Sequence, residues 1–290
     1  MKKSLWMLVA AFLFATMAAF TKAGARDFGV MELVFYRSIF GVITIFLWTW
    51  FKGFTVKTPL VTAHLKRSFL GTMGLTIWFF AIASLPLGTA MTLNYTSPIF
   101  IAAMLTGWAL YKHKPIRKLL ILAIFFGFFG VTLVLKPSLS HGQEIAALIG
   151  LSSGMFAALA YLQVKELSKM KEPEWRIVFY FTCFGTVWGF IWQWILEGHM
   201  TPLTMQNIPV LFGIAISGTL AQLSMTRSWG GDTLLTSAFQ YSGIIFAALI
   251  GLVVFGEPIG LQSAIGIGII LISGVVASLL SKPGKAPKEE

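Results

Sequence analysis

Apolar runs of about 17 to 24 residues, separated by short polar connectors, follow one another along nearly the whole chain, and each is long enough for a helix to cross roughly 30 Å of hydrocarbon. Ten such segments are read, near residues 5–21, 31–51, 68–84, 89–111, 119–135, 145–164, 177–196, 208–226, 233–255 and 261–280. They predict an all-α integral membrane protein with ten transmembrane helices. The apolar pattern breaks most sharply in the fourth segment, where Asn94, Tyr95, Thr96, Ser97 and Pro98 stand in a row. In lipid, freed backbone groups and hydrogen-bonding side chains persist only where protein or a watery cavity satisfies them. This stretch is expected to face inward.

The break has an echo. Residues 96–105 (TSPIFIAAML) align without gaps on residues 241–250 (YSGIIFAALI), with Ser97/Ser242, Ile99/Ile244, Ala102/Ala247 and Ala103/Ala248 identical. Residues 34–41 (VFYRSIFG) fall on residues 178–185 (VFYFTCFG), a spacing of 144 that also pairs Gly74 with Gly218, Ser84 with Ser228, Thr89 with Thr233 and Gly130 with Gly274. The repeating unit is therefore five helices, residues 1–140 and 141–281, followed by a polar cytoplasmic tail at 282–290 expected to be disordered. An odd number of helices makes the second copy enter the membrane from the opposite side, an inverted repeat. Phe14, Ala15 and Ala18 match Phe156, Ala157 and Ala160, so the first segment is expected to be a retained helix rather than a cleaved signal peptide.

Composition agrees: 57% of the residues are hydrophobic and 11% charged, against about 25% charged in soluble domains. The net charge of +11 could suggest nucleic acid, but the cations follow topology instead. With the N-terminus inside, 18 of the 22 lysines and arginines lie on the cytoplasmic side, among them Arg67 in the 52–67 connector. Both termini are expected in the cytoplasm of a cell whose inner membrane the chain spans, and nucleic acid is excluded as a partner. Cys183 is the sole cysteine and His64, His113, His141 and His199 are read as loop residues, so no metal, disulfide or other cofactor is expected. Glycines such as Gly150 and Gly154, Gly185 and Gly189, and the sets Gly127, Gly130 and Gly266, Gly268, Gly274 are read as close helix contacts. Trp48, Trp50, Trp108 and Trp192, near helix ends, are read as interfacial anchors.

Arg37 in the second segment, Trp78-Phe79-Phe80-Ala81 leading to Ser84-Leu85-Pro86-Leu87-Gly88, Thr96-Ser97-Pro98, residues 220–228 (LAQLSMTRS) and Gly256-Glu257-Pro258 together resemble the drug/metabolite transporter superfamily, EamA type, over essentially the full chain. The resemblance implies ten helices in two inverted repeats, with the third, fourth, eighth and ninth and parts of the first and sixth enclosing a central cavity. One departure is His113-Lys114-Pro115, where such proteins often carry a glycine-glutamate turn that Glu257 supplies only in the second half. Glu257 is expected to fix a loop.

The candidate site gathers polar residues at the two breaks and on neighbouring segments: Arg37, Trp78, Asn94, Tyr95, Ser97, Gln222, Gln240 and Tyr241, with Thr96, Ser224, Thr236, Ser237 and Ser242 beside them. Taken singly, each is as well explained as interhelical glue. Arg37 is the sole ionisable residue read deep within a segment; it either serves substrate or pairs with Glu32 or backbone carbonyls. No carboxylate is read at the centre of a segment, which argues for a facilitator or exchanger over a proton-coupled pump. The expected activity is transport of a small organic metabolite, an amino acid or related zwitterion or anion, by alternating access, with export favoured. The alternative within the same family is uptake of a vitamin or nucleoside-like compound of the riboflavin or S-adenosylmethionine type. A membrane enzyme would need a nucleophile, metal cluster or paired carboxylates, and a channel rings of one residue type; neither pattern is read. The expected partners are the substrate and the lipid bilayer, with a homodimer left open.

Overall fold

The computed structural model describes residues 3–280, apart from 114–117, 120, 121, 124, 128, 131, 132, 134–142, 232–235, 237 and 238. Its regular elements are helices: α1 (Trp6–Gly24), α2 (Val30–Phe51), α3 (Val61–Ser84), α4 (Leu87–Asn94), α5 (Ser97–Tyr111), α6 (Glu144–Lys169), α7 (Glu174–Leu196), α8 (Ile208–Trp229), α9 (Ser242–Phe255) and α10 (Leu261–Leu280). The described residues of 118–133, in the fifth apolar segment, are helical as well. Among the described residues four helices, α1, α2, α6 and α8, are each long and apolar enough to cross a membrane.

The fourth segment is two helices rather than one. Pro98 falls in the first turn of α5, where its missing N–H and fixed φ suit a helix start and exclude continuation from α4. Thr96 Oγ1 then donates to the Leu93 carbonyl at 2.6 Å, and Ile99 N bonds back to Thr96 O at 2.9 Å. The ninth segment behaves alike: Thr236, Phe239 and Gln240 are helical, Tyr241 is a turn residue, and α9 starts at Ser242.

Two boundaries differ from the sequence reading. Helix α3 begins at Val61, seven residues before the apolar run, so His64 and Arg67 are helical and buried rather than in a cytoplasmic loop. Helix α6 extends to Lys169, which shortens the 165–176 connector to a few residues. In both cases polar side chains at a helix end lower the average hydropathy without ending the helix.

The elements interleave across the sequence midpoint. Helix α1 packs on α8 and α9, α6 packs on α3 and α4, α2 lies along α7, and α4 meets α9. The α2–α7 contact is reciprocal. A Cβ on Gly41 would lie 2.7 Å from Thr182 Cγ2, and one on Gly185 would lie 2.6 Å from Ser38 Oγ; Gly41 and Gly185, like Ser38 and Thr182, are 144 residues apart. Residues exchanging contacts in this way surround a local two-fold axis. Gly189 likewise meets the backbone of Phe35 and Met31, and Gly130 meets Gly266 O. A Cβ on Gly268 would meet no atom within 4 Å among the described residues.

The surface is apolar, unlike that of a soluble fold, and the interior sets many polar side chains among an apolar core. Phe12, Trp50, Phe125 and Val253 are exposed, whereas Arg37, Arg67, Ser68, Thr72 and Gln222 are buried. Trp48, Trp108 and Trp192, near helix ends, are also exposed, as interfacial anchoring requires.

Candidate functional site

Inside the bundle a cavity of about 50 Å³ is lined by α1 (Phe14), α3 (Arg67, Gly71, Gly74, Leu75, Trp78), the α4 break (Asn94, Tyr95), α6 (Ala157, Ala160, Tyr161), α7 (Phe181) and α8 (Gln222, Met225). It has room for a few water molecules, not for a metabolite, whose pocket needs roughly 300 Å³ or more. The state described is contracted. A larger hollow of about 340 Å³ between α2 and α8 is walled by Phe40, Ile45, Trp48, Ile216 and Leu220 with almost no polar surface, so it belongs with the lipid-facing groups.

The eight principal residues expected at the site, Arg37, Trp78, Asn94, Tyr95, Ser97, Gln222, Gln240 and Tyr241, are buried. Four of them line the cavity: Trp78, Asn94, Tyr95 and Gln222. Asn94 Nδ2 donates to Ser153 Oγ at 3.1 Å, fastening the break to α6. The break comes this close because Gly154 has no side chain: a Cβ there would stand 2.7 Å from Leu93 O. Tyr95 lies against Gly243, whose Cβ would be 2.3 Å from Tyr95 Cε2.

Arg37 stands just behind the wall. Its Nη2 reaches Gly218 O at 3.4 Å and Gln222 Oε1 at 3.5 Å, and its guanidinium lies over the Phe181 ring, 5.3 Å from the centroid. Phe181 is its mate at the repeat spacing of 144. The expected alternative pairing with Glu32 is not formed, because that carboxylate accepts from Thr201 N at 2.8 Å and Thr201 Oγ1 at 2.7 Å.

Ser97, Gln240 and Tyr241 are not in the cavity wall. Gln240 Nε2 donates to Ser97 Oγ at 3.0 Å, joining the two breaks to each other. Thr96, Thr236 and Ser242 donate to carbonyls at Leu93, Ser228 and Phe239 respectively, the role of helix glue. Ser237, Asp232 and His141 lie outside the described residues.

Sequence reading missed Arg67. It lines the cavity, 2% exposed, with its guanidinium over the same Phe181 ring, 4.5 Å from the centroid. Gly71, one turn on, makes this possible: a Cβ there would sit 1.8 Å from Arg67 Nη1. The Arg67–Gly71–Gly74 spacing, a long cation followed by small residues on its own helix face, was the available sign. It was masked by the neighbouring Lys66, which is exposed.

One end of the bundle is latched. Lys22 pairs with Glu257 and donates to Leu85 O at 2.7 Å, while Glu257 Oε2 accepts from Leu87 N at 2.7 Å. The α9–α10 loop is thus tied to α1 and to the α3–α4 turn, more than the loop-fixing role expected of Glu257. At the other end Glu172 accepts from Thr58 Oγ1 and from Arg176 Nη1 at 2.9 Å, and His64 Nε2 lies 3.8 Å away. Burial works against charge on Glu172, but the hydrogen bonds of Thr58 and Arg176 and the charges of Arg176 and His64 outweigh it and hold the carboxyl below its usual range. Among the described residues no group of His, Cys, Asp and Glu could hold a metal ion.

Residues 1–136 match the model of the EamA-like transporter family. The chain belongs to that family. It is a multi-pass membrane transporter and not an enzyme. This EamA-like transporter is 27% identical over 278 residues to the pseudopaline exporter CntI of Pseudomonas aeruginosa, covering 96% of this chain and 95% of that one. An uncharacterized transporter of Helicobacter pylori is 29% identical over 280 residues (94% and 93%), and a riboflavin transporter of Vibrio cholerae 25% over 279 residues (93% and 90%). A crystal structure at 16% identity, covering 97% of this chain and 98% of its own, superposes with a TM-score of 0.70 and so shares the fold.

Proposed function

We propose that this EamA-like transporter exports a small organic metabolite, an amino acid or related carboxylated compound, by alternating access between inverted halves 1–140 and 141–281, with both termini in the cytoplasm. The observation that carries the reading is the cavity itself. Repeat-related Trp78 and Gln222 face it together with Asn94 and Tyr95 of the break, so polar chemistry is concentrated on the seam between the halves and away from lipid. The reciprocal α2–α7 contact supports the repeat. On this topology the Lys22–Glu257 latch closes the outer mouth, and the contracted cavity marks a state through which the carrier passes between openings.

Export draws support from the CntI relative and uptake from the riboflavin relative. Uptake of an S-adenosylmethionine-like cation is disfavoured, because two buried guanidinium groups would repel it. The site lies within one chain, so the proposal requires no homodimer. The test is a thermal-shift screen of the purified protein against common metabolites, followed by counterflow of the strongest stabiliser in proteoliposomes. Saturable uptake that overshoots in preloaded vesicles is expected. Absence of counterflow for every stabiliser would remove the carrier reading.

A further inference from the structure

Arg67 and Arg37 contact one ring. Their guanidinium carbons lie 4.5 and 5.3 Å from the Phe181 centroid, so no more than about 10 Å separates them. Both side chains are essentially fully buried. Neither forms an ion pair among the described residues, where the buried Glu32 and Glu172 are engaged elsewhere. Nε and Nη1 of each arginine lack a hydrogen-bond partner, as do Trp78 Nε1 and Gln222 Nε2 in the same wall. Every one of these atoms is a donor.

Two uncompensated cations at membrane depth, ringed by idle N–H groups, are costly unless something supplies acceptors and negative charge. A zwitterion supplies one carboxylate, and its ammonium group would stand beside the two cations. A cargo with two anionic oxygen groups a few bonds apart answers both charges, each group accepting from a planar fork.

We propose that Arg67 and Arg37 form a two-point anion site, that the cargo is a small organic dianion, and that its transport is therefore electrogenic. This rests on the carrier reading above and narrows its substrate class. The loaded site is close to neutral, and the empty site carries two positive charges. An inside-negative potential then acts little on the loaded site but draws the empty site back inward, so each cycle carries the anion's charge out and export is driven with no proton relay. The lack of a central carboxylate among the described residues fits this economy.

The probes are succinate, its monomethyl ester and succinamide, compared at equal ionic strength by thermal shift on the purified full chain. Succinate should bind saturably, the monoester about tenfold more weakly, and succinamide not at all, as expected when charge-assisted bonds are removed one by one. Arg67→Gln should erase the preference for succinate over the monoester; Arg67→Lys, which keeps the charge and guards against a folding defect, should retain part of it. In proteoliposomes a valinomycin-set inside-negative potential should speed efflux of labelled succinate about tenfold or more relative to zero potential. Failure of succinate, glutarate and adipate to bind, equal shifts by succinate and succinamide, or efflux indifferent to potential would each overturn the proposal. If screen hits still show counterflow in that case, the carrier reading stands and only the dianion site falls. If Arg67-dependent succinate binding appears without counterflow of any compound, the site stands and the carrier reading falls.

Discussion

Asn94 and Gln240 each carry an amide at one of the two breaks and do different things. Asn94 faces the cavity and holds Ser153, while Gln240 holds Ser97 from behind. Removing either amide leaves a buried partner without its bond, at a cost of about 1 to 3 kcal/mol. Asn94→Ala and Gln240→Ala should therefore each lower transport about tenfold or more at near-normal expression; normal kinetics in both would move the site elsewhere. Residue by residue, the sequence disclosed what stood alone. Arg37 was visible because a charge inside an apolar run stands out, whereas Arg67 was hidden by position, adjoining Lys66 at the edge of a run whose helix starts earlier than its hydropathy does. Whether Ser97 or Trp78 points to the cavity depends on the angle at which two half-helices leave a break, and no residue type encodes that.

At the scale of elements, the helix interruptions were the most legible feature, since proline and clustered hydroxyls dictate them locally. The ties between helix ends were not, because they join residues far apart in the chain: Thr58 to Glu172, Lys22 to Glu257. The Glu172 tie is titratable. Its carboxyl is held below the unfolded value of about 4.3, so its contribution is fully present above that value and is lost as pH falls through the folded one. Glu172→Gln should lower thermal stability at neutral pH by an amount equivalent to about 1 to 3 kcal/mol. The gap to the parent should shrink as pH falls below the unfolded value. A gap unchanged across that range would mean that shape, not charge, matters at this position.

For the molecule as a whole, the proposed sidedness rests on the charge distribution and the proposed motion on the repeat. Met205 and Met170 are exposed, 88% and 47%, on connectors at opposite ends. In a Cys183→Ala background, Met205→Cys should react with an impermeant maleimide in intact cells and Met170→Cys only after permeabilisation; the reverse would invert the topology. The proposed five-helix unit rests on residue identities at one spacing, which the reciprocal Gly41 and Gly185 contacts support. The state of the carrier could not be read, because opening and closing change which side chains meet without changing the pattern that places them.

The claim that one cavity is offered to each side in turn is tested most directly by distances at both ends of the same molecule. Spin labels at Arg26 and Ile259 report the Lys22 end, and labels at Leu5 and Met170 the opposite one, measured by pulsed dipolar spectroscopy in lipid. Alternating access predicts two populations in each pair with opposite response: Glu257→Gln, which weakens the latch, should lengthen Arg26–Ile259 while shortening Leu5–Met170. Both distances lengthening together, or neither responding to loss of the latch or to bound substrate, would contradict the account.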